Sequence, residues 1–104
     1  MPGEDPVQEA IKRREIFHHL DRHLETIKRT VQKIDQDAEV YVFGSVPEKN
    51  YTYSSDIDVL IVSNKDAGKI RLELWRSGMR EPFEIHVYPP TKAARIRGNL
   101  VKVA

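Results

Sequence analysis

The chain of 104 residues contains no cysteine. That excludes disulfides and thiolate metal sites, and it fits a cytoplasmic location. No apolar run reaches the roughly 18 residues that a membrane span needs. The first residues, MPGEDP, are acidic and lack the apolar stretch of a signal peptide. Charge of one sign is also missing: 17 Lys and Arg oppose 16 Asp and Glu, for a net +1. So small an excess gives no bulk attraction to a membrane, and it makes direct nucleic-acid binding an unfavoured reading. Any phosphate must be held by local chemistry. There is no repeat and no low-complexity tract, and a single domain over residues 1–104 is expected.

Hydrophobic periodicity supplies the organisation. Asp5-Pro6-Val7-Gln8 reads as an N-cap, a first-turn proline and a capping-box glutamine. Phe17, Leu20, Leu24, Ile27, Val31 and Ile34 then follow alternating steps of three and four, one stripe along a long N-terminal helix. The stripe serves a core or a subunit interface, so a homo-oligomer is allowed. Ala38 to Phe43 reads as a strand ending at Gly44, and Val46 to Ser55 as a short helical turn and a loop. Asp56 to Val62 is the clearest strand. Lys69 to Ser77 reads as a helix ended by Gly78, and Pro82 to Tyr88 as a third strand. Thr91 is expected to cap a last helix reaching Arg97, ended by Gly98. Asn99 to Ala104 reads equally as strand or tail. The expected architecture is α/β (α+β): a small mixed sheet with helices packed against it.

Three features carry chemistry. Gly44-Ser45 at a strand end lets backbone N–H groups approach an anion, and a helix starting there would aim its positive end at a phosphate. Taken alone, Gly-Ser is a common turn dipeptide. Asp56-Ile57-Asp58 is the second. Residues two apart on a strand share a face, about 6.5–7 Å apart at Cα. Both carboxylates can therefore reach a pair of divalent cations spaced roughly 3.5–4 Å apart. Ile57, Val59 and Ile61 take the other face and anchor the strand. Like charges this close repel unless a cation neutralises them. The third is Glu84, in Phe83-Glu84-Ile85-His86-Val87, where alternation puts Glu84, His86 and Tyr88 on one face.

Together these residues resemble the polymerase-beta-like nucleotidyltransferase superfamily, and most of all its minimal members of antitoxin type. The pattern is a strand, Gly-Ser, about ten residues, Asp-x-Asp on a second strand, and an apolar-flanked carboxylate on a third. Here it runs Phe43-Gly44-Ser45, ten residues from Val46 to Ser55, Asp56-Ile57-Asp58-Val59-Leu60-Ile61-Val62, then Phe83-Glu84-Ile85. The resemblance implies a nucleotidyltransferase fold and transfer of a nucleoside monophosphate, AMP from ATP, to an acceptor hydroxyl. It implies Asp56, Asp58 and Glu84 as catalytic metal ligands for two Mg²⁺ ions, with Mn²⁺ an alternative. Gly44 and Ser45 would bind the nucleotide. It also implies a HEPN-type toxin as protein partner and acceptor.

In one respect the sequence departs from the pattern. Many minimal members carry a basic residue three positions after the motif serine. Here that residue is Glu48, and Lys49 is the nearest cation to take the nucleotide-binding role. The departure keeps a rival open: a catalytically weak or inactive module that neutralises a partner by contact alone. Other polar residues carry less. His19 and His23 stand at zinc-compatible i, i+4 spacing but lack an adjoining glutamate, so a solvated helix face is expected. His86 shares Glu84's face, where it would touch substrate, orient a carboxylate or simply be solvated. Arg95 and Arg97 are read as solubilising.

Overall fold

The computed structural model describes residues 6–44, 56–96 and 98–103. Asp5 of the expected cap, the Val46 to Ser55 loop with Ser45, Glu48 and Lys49, and Arg97 lie outside them.

The N-terminal helical region is two helices, α1 (Pro6–His18) and α2 (Leu20–Ile34). His19 between them leaves helical geometry at φ −119°, ψ 31°. Hydrogen bonds reach the junction residue from both sides, from His19 N–H to the Glu15 carbonyl (3.0 Å) and from His23 N–H to that of His19 (3.3 Å). The expected single helix is thus corrected to a broken one. One turn before Phe17 the stripe meets Arg13 and Arg14, so the apolar face of α2 reaches only the last turn of α1. In α2, Leu24, Ile27 and Val31 are buried, whereas Phe17 is the buried residue of α1.

Strands β1 (Glu39–Phe43), β2 (Ile57–Val62), β3 (Phe83–Tyr88) and β4 (Val101–Lys102) form one sheet in the order β3-β2-β1-β4. β1 runs antiparallel to β2 and β4, and β2 runs parallel to β3. A parallel pair needs a crossover, here α3 (Ala67–Arg76). α3 begins two residues earlier than expected because Asp66 caps it, accepting a hydrogen bond from Gly68 N–H at 3.0 Å. At its other end Gly78, at φ +92°, donates to the Trp75 carbonyl and Met79 to that of Leu74, a Schellman closure that agrees with the expected stop. α4 (Pro90–Ala93) is shorter than expected. Thr91 lies inside it rather than capping it, and Gly98 follows five residues after its end.

The core lies on one face of the sheet. Val40, Val42, Ile57, Val59 and Ile61 pack there with Ile27 and Val31 of α2 and Ile70 and Leu74 of α3. Ile57, Val59 and Ile61 have no exposed surface. Each contributes about 1.5–3 kcal/mol by burial, so β2 is a fixed rail. Every second residue along it, starting with Asp58, points to the opposite face.

Candidate active site

β1 delivers Gly44 to the mouth of that opposite face, because Phe43 lies in register with Asp58. Gly44 adopts φ +82°, a conformation that side chains disfavour. A Cβ on it would fall 2.5 Å from Asp58 Oδ2. The glycine therefore does more than turn the chain: it makes room for the Asp58 carboxylate.

Parallel pairing sets Asp58 directly beside Glu84 on β3, and Leu60 beside His86. Like charges facing each other across neighbouring strands cost stability. Between them reaches His86, its Nε2 3.7 Å from Asp58 Oδ1 and 3.8 Å from Glu84 Oε1. Both separations exceed a hydrogen bond. One ligand atom from each of Asp58, Glu84 and His86 lies within 4.8 Å of the others. Asp58 and His86 are half-buried, at 28% and 26% side-chain exposure, while Glu84 is 55% exposed and open to solvent. The His86 ring is flanked by Phe43 (5.3 Å between centroids) and Tyr88 (6.2 Å), and the Lys92 ammonium sits 4.1 Å from the Tyr88 ring centre.

Of the residues singled out from sequence, Gly44, Asp58 and Glu84 thus come together. Asp56 sits exposed just ahead of β2, outside the cluster formed by the other three side chains. Ser45 and Lys49 lie outside the described residues. His86 joins Asp58 and Glu84, a residue for which the sequence left substrate contact, carboxylate orientation and a solvated face open. Its only signal was Glu-x-His on one strand face, and its meaning depends on which strand lies alongside. The helix histidines stay apart from the site. His19 lies 3.7 Å from Glu15. His23 packs against the Phe83 ring at 5.9 Å, and burial holds its pKa below the usual histidine value.

The family model for the nucleotidyltransferase domain matches residues 24–102. The chain belongs to the nucleotidyltransferase domain family. Among solved structures it is similar to one described as "putative nucleotidyltransferase", with 32% identity and a TM-score of 0.60, over 79% of this chain and 98% of that one. A second, so described and from Sulfolobus solfataricus, is 22% identical with a TM-score of 0.52, over 97% of this chain and 87% of that one. This second likeness is one of fold. A comparison with curated proteins found no significant match.

Nucleotidyltransferase domains generally use divalent metals, and the donor set fits one. Two carboxylates and an imidazole offer one ligand atom each, all within 4.8 Å of one another, and carboxylate oxygen and imidazole nitrogen are donors that divalent ions take. The space that Gly44 leaves open lies at one of those carboxylates. No helix among the described residues is long and apolar enough to cross a membrane.

Proposed function

We propose that this nucleotidyltransferase moves AMP from ATP, with Mg²⁺, to a hydroxyl on a partner protein of HEPN type. The observation that carries the reading is the parallel register that puts Asp58 and Glu84 side by side at the open end of the sheet. Asp58 and Glu84, joined by Asp56, would hold the cations. Bound there, divalent ions supply charge neutralisation for the triphosphate and acidify the acceptor hydroxyl.

The protein's own groups do the rest. Gly44 and Ser45 would bind the phosphates, with Lys49 the cation nearest to them in sequence. Glu84, the most exposed of the three clustered side chains, receives the proton of the acceptor hydroxyl. The hydroxyl oxygen bonds to the α-phosphorus, the bond from that phosphorus to the bridging oxygen breaks, and pyrophosphate leaves. ATP and a partner hydroxyl become an adenylylated partner, pyrophosphate and a proton.

Incubation with labelled ATP, Mg²⁺ and the partner protein, followed by mass spectrometry, tests this. The expected result is a gain of one AMP on the partner, lost in Asp56→Asn and Asp58→Asn and slowed in Glu84→Gln. A partner that is neutralised without modification, equally well by both aspartate variants, would replace this reading with the contact-only module that Glu48 keeps open.

A further inference from the structure

Two carboxylates alone would make an oxygen site, the kind Mg²⁺ prefers. The imidazole between them changes that chemistry. His86 Nε2 stands almost equidistant from Asp58 Oδ1 and Glu84 Oε1, at 3.7 and 3.8 Å. It is too far from either for a hydrogen bond. Ligands on one ion with bonds of about 2.1–2.2 Å lie about 3.0–4.4 Å apart. Both separations from His86 Nε2 fall within that range, so the imidazole is placed to share an ion with either carboxylate. The ring does not drift into place: Phe43 and Tyr88 flank it at 5.3 and 6.2 Å.

We propose that His86 supplies a nitrogen ligand to the cation held by Asp58 and Glu84, and that it biases this nucleotidyltransferase toward Mn²⁺ over Mg²⁺. The inference rests on the reading of Asp58 and Glu84 as metal ligands. Its physical basis is ligand softness. Imidazole binds first-row transition ions well, whereas Mg²⁺ keeps its oxygen shell and gains little from nitrogen.

The test measures metal binding, without substrate. The full chain is titrated with Mn²⁺ and followed by electron paramagnetic resonance, with Mg²⁺ as competitor. Wild type, His86→Phe, His86→Gln and Asp58→Asn are compared. Phe keeps an aromatic ring against Phe43 and removes the donor; Gln offers oxygen in place of nitrogen. Wild type should bind Mn²⁺ with the hyperfine signature of an imidazole nitrogen. Both His86 variants should lose that signature, and their preference for Mn²⁺ over Mg²⁺ should fall about tenfold. Two variants of different shape guard against one failing to fold, which a thermal melt reports. If the nitrogen coupling is absent from wild type, or the preference survives in both variants, His86 is not a ligand. The underlying reading still stands in that case, provided wild type binds metal and Asp58→Asn does not. If wild type binds neither ion at millimolar concentration, the metal reading and this inference fall together.

Discussion

Two pairs of carboxylates in this molecule are treated differently. Asp35 accepts a hydrogen bond from the Ser63 hydroxyl at 2.6 Å, and Glu39 accepts one from Lys102 at 2.9 Å and one from Tyr41 at 3.2 Å. These contacts hold both carboxyls below their usual pKa. Asp58 and Glu84, beside each other on neighbouring strands, have His86 as their described partner, and at no closer than 3.7 Å. The first group closes the fold: Ser63 is buried at the end of β2, and Lys102 lies on the two-residue strand β4. The second group leaves acceptor capacity aimed at a common space. A carboxylate whose lone pairs are filled by the protein is a structural part, and one whose lone pairs lack donors keeps the capacity to take a cation.

Asp58→Asn should break the contrast most strongly. It removes a negative charge from the convergent pair and leaves the core face of β2 untouched. Nucleotidyl transfer should fall by on the order of 10²–10³-fold or more, as when one electrostatic stabiliser of a transition state is lost. The metal-free melting temperature should hold or rise, because repulsion with Glu84 is relieved. Label transfer and thermal melts read the two effects. A variant that melts well below wild type would place Asp58 with the structural group instead.

Two glycines sharpen the comparison next. Gly44 and Gly78 both have positive φ, at 82° and 92°. A Cβ at Gly78 meets nothing within 4 Å, whereas at Gly44 it meets Asp58 Oδ2 at 2.5 Å. Gly78→Ala should carry the backbone cost alone, about 1–2 kcal/mol. Gly44→Ala should carry a similar cost and, in addition, displace the Asp58 carboxylate. Divalent-metal stabilisation should therefore weaken in Gly44→Ala and survive in Gly78→Ala. Denaturant titrations with and without Mg²⁺ separate the two, and equal metal responses would mean that Gly44 serves the turn only.

The satisfied group has its own signature in acid. Asp35's folded pKa is lowered, chiefly by the Ser63 hydroxyl. Its contribution is therefore complete above the unfolded value, about 3.9. It disappears as pH falls through the lower folded value. Ser63→Ala should flatten this acid arm of the melting curve while leaving transfer activity near neutral pH unchanged. An acid arm identical to wild type would show that Ser63 does not set Asp35's titration.

How much of this was legible beforehand follows from what is local. β1, β2 and β3 were readable because their apolar blocks end at strong stops, Gly44, the break from Asn64 to Gly68, and Pro89. The faces of Asp58 and Glu84 were readable because strand alternation fixes them without knowing the neighbours. The break at His19 was hidden, since the sequence is helix-compatible on both sides. α3 was read as starting late because Gly68 looks like a breaker, yet in a first turn its N–H is the one that Asp66 caps. β4 exists only through pairing with Tyr41 and Val42, a contact that no local pattern announces. The place of His86 beside Asp58 was hidden for the same reason. Its proximity to Asp58 comes from the β2–β3 register, which is a property of the sheet and not of either strand.

The smallest expected effect concerns the Glu39–Lys102 pair, and it tests whether a filled carboxylate is indifferent to function. Lys102 bonds Glu39 across β1 and β4, both side chains remaining largely exposed at 57% and 43%. The contact lowers the Glu39 pKa and raises that of Lys102. The pair's stabilisation is therefore fully present between the two unfolded values, about 4.3 and 10.4. It is lost below as Glu39 is protonated through its lowered pKa, and above as Lys102 loses its proton through its raised one. Exposed pairs of this kind contribute little and are screened by salt. Lys102→Met should keep β4 paired, since the Val103 N–H to Val40 carbonyl bond (2.8 Å) does not involve the ammonium. The melting temperature should drop slightly at neutral pH and low salt, and the difference should vanish in molar salt or once Glu39 is protonated. Metal binding and transfer should match wild type throughout. A Lys102→Met protein that loses metal affinity would show that charge at this edge of the sheet reaches the Asp58–Glu84 pair, and the division between the two groups of carboxylates would no longer hold.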